Sequence, residues 1–168
     1  RRQGFTLLDS LIVIVILGIV AITVFPQFAG FFQEAKLNEA AGELVSGMQY
    51  AGNLAVGFGR PFGIEGSAGQ RFKVFDNRYY NDASNHTSDN PPVTANGVVL
   101  NPFDNNWYSR DFGNMENYRG VTFTNTSFSI VFYPDGHSTA SDTEVRVYLG
   151  GDNRTITVDG TTGRVSVQ

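Results

Sequence analysis

Cysteine is absent from the 168 residues. A disulfide framework, a cysteine metal site and a thiol nucleophile are therefore excluded. Methionine and tryptophan are scarce, and an excess of basic charge is missing too: 12 Lys and Arg face 16 Asp and Glu, for a net charge of −4. General nucleic-acid binding needs basic surface to displace condensed counterions, so this balance argues against it. There are two histidines, His86 and His137, in polar turns with no ligand-type spacing between them. Both read as solvated loop residues. No nucleophile–base pair, phosphate-binding loop or zinc motif appears. The Asp-rich turns 82–89 and 135–142 lack the dense spacing of a calcium loop. The chain reads as a non-enzyme with no catalytic residue, no metal and no cofactor.

What is abundant is apolar sequence at one end. From Leu11 to Phe25 no residue is charged. Phe5 to Phe25, as a helix with about 1.5 Å rise per residue, matches a hydrocarbon core of about 30 Å. Arg1 and Arg2 precede the run, which sets a cytoplasmic start and an outside C-terminus. Three readings compete. A plain signal anchor accounts for the carboxylate Asp9 only by its place in the first turns near the interface, where the helix dipole favours an anion. A secretory signal peptide fits poorly, because the run is long and no A-x-A-like site follows. The third is a helix cut after Gly4 and retained. Asp9 then gains a partner, the new α-amino group of Phe5 on a neighbouring subunit. In a shared apolar core that attraction is strong and an unpaired charge is costly.

"GFTLLD" followed by a long apolar helix resembles the N-terminus of type IV pilins and type II secretion pseudopilins. The resemblance implies cleavage after Gly4 by a prepilin peptidase and N-methylation of Phe5. It implies an inner-membrane assembly platform, and a helical filament of copies of the chain or of other pilins and pseudopilins. Asp9 stands at the fifth mature position, where the family normally has Glu. The charge is kept and the reach shortened by one methylene. Gly18 and Pro26 also fall where pilins carry Gly and Pro. Pro26 removes an N–H and crowds the carbonyl four residues back, so a kink is expected there. By resemblance, the stretch from Gly18 to Pro26 loses helical structure in the filament.

Beyond the apolar run, Leu37, Ala41, Leu44, Met48, Ala51 and Ala55 recur at spacings of three and four, the stripe of a helix packed on a domain. Gly57, Gly59 and Pro61 end it. Strand patterns follow at 71–75, 121–124, 128–133, 144–149, 154–158 and 163–167, with turns at "YPDG", "GGDN" and "DGTTG". Residues 76–96 read as a surface loop, and 101–117 as irregular. The fold expected is α+β and pilin-like: a long N-terminal helix packed on antiparallel sheet. Its parts are a leader remnant at 1–4, a transmembrane and filament-core helix at 5–28, an amphipathic helix at 29–58 and a β-rich head at 59–168.

"FYPDG", "EVRVYL" and "RTITVDGTTGRVSV" resemble the pseudopilin H and minor pilin T/U family (GspH/FimT), with Thr162–Val165 at the matching core. That favours a minor-type subunit, with a major filament subunit as the other possibility. Some members bind DNA through a Gly-Arg-x-Arg pattern. Here Gly163–Ser166 has only Arg164, so DNA uptake stays a distant alternative. A membrane-anchored extracytoplasmic binding domain is the remaining one. The expected location is the inner membrane, single-pass, and after assembly an extracellular pilus or periplasmic pseudopilus.

Overall fold

The apolar stripe from Leu37 to Ala55 closes one face of a helix, and that helix is α1, Leu7–Phe58. The computed structural model describes residues 7–123, 127–140 and 143–168, with the side chains of 24–29 left aside. Gly59, at φ +62°, ends α1. The Arg60 N–H then turns back to the Ala55 carbonyl at 3.3 Å, satisfying a group the helix end would otherwise strand. Two compact units result, one up to Ala35 and one from Lys36 onward.

Among the described residues of the second unit, eight strands form two antiparallel sheets. The first comprises β1 (Phe62–Ser67), β2 (Arg71–Asp76), β3 (Ser109–Asp111) and β5 (Ser127–Phe132), in the order β3-β2-β1-β5. The second comprises β4 (Thr122–Phe123), β6 (Thr143–Leu149), β7 (Asp152–Val158) and β8 (Val165–Val167), in the order β4-β6-β7-β8. Alternation sets the inner faces: Phe128, Ile130 and Phe132 of β5 point inward, as do Val145 and Val147 of β6. Both sheets and the α1 stripe share one core, with Leu37, Leu44, Met48, Ile64, Phe72 and Ile156 fully buried. Polar side chains beside the stripe lash α1 to this core. Asn38 accepts from Arg154 at 2.7 Å, Glu39 from Tyr118 at 3.2 Å and Glu43 from Arg110 at 3.0 Å.

The expected α+β, pilin-like architecture is what forms, and the strands at 71–75, 128–133, 144–149 and 154–158 are present. Three expectations need correction. β1 was not foreseen, because its two glycines speak against a strand. Each lies under a ring: a Cβ on Gly63 would meet Phe75, and one on Gly66 would meet Phe128. β3 is too short to show alternation. Residues 76–96 are more than a surface loop, since Asp76 and Val93 within them are fully buried.

Asp76 explains that loop. It accepts from Arg60 Nε at 3.0 Å and from Arg78 Nη2 at 3.1 Å, while Arg60 also donates to the Asn90 carbonyl at 2.9 Å. A buried carboxylate is tolerable only with such charged partners. Here it ties the end of α1 to both ends of the loop.

Candidate functional site

Helices in a folded domain hide their apolar face. The first part of α1 does not. Leu7 is 85 % exposed and Ile22 is 77 % exposed, and the described large apolar side chains between them, with Phe31 and Phe32 further on, are likewise open. A contiguous patch of this kind marks a surface meant to be covered by lipid or protein. Among the described residues, no helix is long and apolar enough to cross a membrane. The span expected over 5–28 reaches Phe5 and Thr6, which lie outside the described residues, and Val24–Phe28, whose side chains do.

Asp9 lies in the first turn of α1 and is exposed on this patch. An acid there is favoured by the helix dipole. Gly18 sits mid-helix with nothing within 4 Å of where a Cβ would be. Glycine inside a helix costs about 0.5–1 kcal/mol relative to alanine, and no packing within the chain offsets it. Such a position suits close approach of another helix, or local loosening. Thr23 returns its hydroxyl to the Val20 carbonyl at 2.9 Å, so it adds no unsatisfied polarity. The proposed cleavage residues Gly4 and Phe5 lie outside the described residues. So does the side chain of Pro26, although α1 is assigned as helix through that position.

Arg164 is exposed at the hairpin joining β7 to β8, remote in sequence from Asp9. The same hairpin is held by Asp159, whose Oδ1 accepts from the Thr161 and Thr162 N–H groups at 2.9 and 2.7 Å. Those bonds, the Thr162 N–H first, keep the Asp159 carboxyl below the usual carboxylate range. A second basic side chain to extend an Arg164 phosphate site is missing from the hairpin loop, 159–164.

The two histidines are more packed than expected. His86 lies 3.0 Å from Asp82 and stacks on Tyr79 with centroids 3.9 Å apart. His137 pairs with Asp135 and stacks on Tyr133 at 4.2 Å. Tight turns put a carboxylate and a ring beside each imidazole. Among the described residues, no three His, Asp or Glu side chains gather as a metal site.

The family model for the type II transport protein GspH matches residues 40–162. The chain belongs to the GspH family. A structural subunit of a pilus or pseudopilus, and not an enzyme, is what that membership makes it. In fold it is similar to the type IV minor pilin FimU of Pseudomonas aeruginosa PAO1. That likeness has a TM-score of 0.51 and 19 % identity, covering 82 % of this chain and 92 % of that one. The solution structure of E. coli GspH aligns at a TM-score of 0.42 and 10 % identity, over 80 % and 88 % of the two chains. No curated protein matches the sequence significantly.

This GspH-family chain thus carries two surfaces of different character. One is the open apolar face of α1. The other is the polar outside of the β-rich head. Sequence reasoning found the first through its length and lack of charge. It missed an aromatic on the second, Phe103, which is 86 % exposed. The clue available was the asparagine-rich frame "NPFDNNW" around it.

Proposed function

We propose that this chain is a filament subunit that polymerises through α1. The observation that carries the proposal is the exposed apolar face from Leu7 onward with an acid in its first turn. A prepilin peptidase cuts after Gly4 and methylates Phe5. The helix of residues 5–28 then anchors the subunit in the inner membrane, with the C-terminus outside. An assembly platform extracts it into the filament. There Asp9 pairs with the Phe5 amine of a neighbour, and the apolar faces cover one another. Gly18 and Pro26 are where the helix yields during this transfer. The GspH membership favours a minor-type subunit of a pilus or of a type II secretion pseudopilus.

Removing an uncharged apolar face from water is favourable by about 25 cal/mol per Å². That supplies the affinity, and the Asp9 pair supplies register. Intact mass of the native subunit tests the processing. Loss of residues through Gly4 plus one methyl group is expected, and an unprocessed chain in cells holding the peptidase rules it out. In Asp9→Ala, membrane insertion is expected to survive while filament incorporation falls at least tenfold. Normal incorporation would remove the ion pair from the mechanism.

A further inference from the structure

Among the described residues, three of the four sheet edges in the head are already engaged. Val131 of β5 donates its N–H to the Thr139 hydroxyl at 2.9 Å and accepts the Thr139 N–H at 2.8 Å. Phe123 of β4 donates to the Gly69 carbonyl at 2.6 Å. On β3, the Asp111 carbonyl accepts from the Asn114 N–H at 3.1 Å, and the Ser109 N–H donates to the Trp107 carbonyl at 2.7 Å. The fourth edge is β8. Gln168 exchanges both backbone hydrogen bonds with Thr155, and the Asp159 N–H donates to the Arg164 carbonyl. Antiparallel ladders alternate, so Arg164, Ser166 and Gln168 turn their backbone groups toward β7, while Val165 and Val167 turn theirs away. Among the described residues nothing bonds the outward N–H or C=O of either valine. Natural sheets cover or blunt their edges, and an open one is a template for another strand.

A groove of about 430 Å³ adjoins this strand. It is lined by Val165 at the start of β8, by Gln49, Gly52 and Asn53 of α1, and by Tyr133 after β5. Gln49 and Asn53 are one helical turn apart, so their side-chain amides stand on one face of α1. Both are exposed, and among the described residues neither amide has a hydrogen-bond partner. A side-chain amide offers the same donor and acceptor as a peptide group. Gly52, between them, has no Cβ and lets another backbone come close. A strand entering here has two edges of its own. One meets the outward groups of Val165 and Val167, and the other meets the two amides. The polar lining of the groove thus suits a polypeptide backbone.

Side chains of an added strand alternate between two faces. On the inner face Val167, 46 % exposed, lies in register with buried Ile156. An apolar side chain there completes the cover of the core edge. On the outer face stand Ser166 and Arg164, both exposed. Among the described residues the Arg164 guanidinium makes no ion pair and no hydrogen bond, and Asp159 across the ladder is held by the Thr161 and Thr162 N–H groups. An acid on the incoming strand is the partner that Arg164 lacks. A second copy of this chain does not supply that strand. Its other edges are engaged, and two β8 edges pair only about a two-fold axis, whereas subunits following one another along a filament are related by rotation and translation.

We propose that the open edge of β8 and the groove beside α1 receive an extended segment of a different filament subunit. The segment adds as a strand, with an apolar residue over Val167 and an acid toward Arg164. This rests on the filament reading above, and it suits a minor-type subunit whose neighbours are unlike itself. With only Val165–Val167 in β8 the contact is short, so it forms where the α1 helices already hold the subunits together.

The test uses the full chain in cells that assemble it, with p-benzoylphenylalanine in place of Ser166. That side chain lies on the outer face, beside the incoming strand and clear of the groove. Expected on illumination is a crosslink to one segment of one other filament subunit, placed by peptide mass spectrometry. Val167→Pro in the same chain removes an outward N–H and no bond of the β7–β8 ladder, a place where an edge strand tolerates proline. It is expected to keep the thermal midpoint in detergent and to lower the crosslink by about tenfold or more. Val167→Ala keeps the N–H and is expected to keep the crosslink. If the proline variant does not fold, hydrogen exchange of the unaltered chain decides. The Val165 and Val167 amides are expected to exchange about tenfold or more slowly in the filament than in detergent, and equal rates overturn the proposal. A crosslink indifferent to Val167→Pro in a folded chain overturns it as well, and so does one to another copy of this chain. Filaments that contain the chain and give no crosslink overturn the strand addition and leave the filament reading intact. If the unaltered chain enters no filament, both fall together.

Discussion

At the residue scale, Asp76 carries more of the head than any other polar side chain described. It is fully buried and shares two guanidinium groups. The bonds do not make it a large net source of stability, since desolvating charges offsets much of the attraction. They make it hard to remove. Asp76→Ala leaves Arg60, itself mostly buried, without its counter-charge, and frees the loop from the end of α1. The expected loss is about 3–5 kcal/mol, read as a fall in the denaturant midpoint with an unchanged slope. A loss below 1 kcal/mol would show that water reaches the site and replaces the carboxylate.

At the element scale, β1 shows how a strand is made from residues that resist one. Gly63 and Gly66 leave room for rings that arrive from β2 and β5. Gly66 lies across from Phe128 in the β1–β5 register, with that ring where a Cβ would be. A glycine covered by a cross-strand aromatic loses its usual penalty, because the ring packs on bare backbone. Gly66→Ala is therefore expected to destabilise the head by about 1–3 kcal/mol as an overpacking change, although alanine suits a strand no worse in isolation. Chemical denaturation of the two proteins decides it. Equal stability would mean that Phe128 has another rotamer to move into.

At the scale of the whole molecule, the two units differ in how much apolar surface they leave open. The unit from Lys36 to Gln168 contains the shared core and both sheets, and none of the described side chains up to Ala35 belongs to that core. A chain beginning at Lys36 is expected to fold, melt cooperatively and run as a monomer at micromolar concentration. The full chain should need detergent or lipid. Circular dichroism and gel filtration check both. An unfolded or oligomeric head would show that the core depends on the earlier helix, or that heads associate without it.

The sequence by itself determined whatever is written in neighbouring residues. The 3.6-residue stripe of α1, the alternation of β5 to β7, the hairpin around Asp159 and the open apolar run with Asp9 are all local patterns, and each was legible. So was the lack of a second basic residue beside Arg164 in the loop 159–164. Only the tertiary structure decided what depends on residues brought from far along the chain. The glycines of β1 become strand only when Phe75 and Phe128 cover them. Asp76 is buried only because Arg60 and Arg78 converge on it. Phe103 is one more aromatic in an irregular stretch until Asn101 is seen bonding its backbone in the loop that displays it. Hydrophobic pattern records which residues prefer to leave water. It does not record which distant side chains arrive to replace the water, and that replacement decides the buried charge, the covered glycine and the exposed ring.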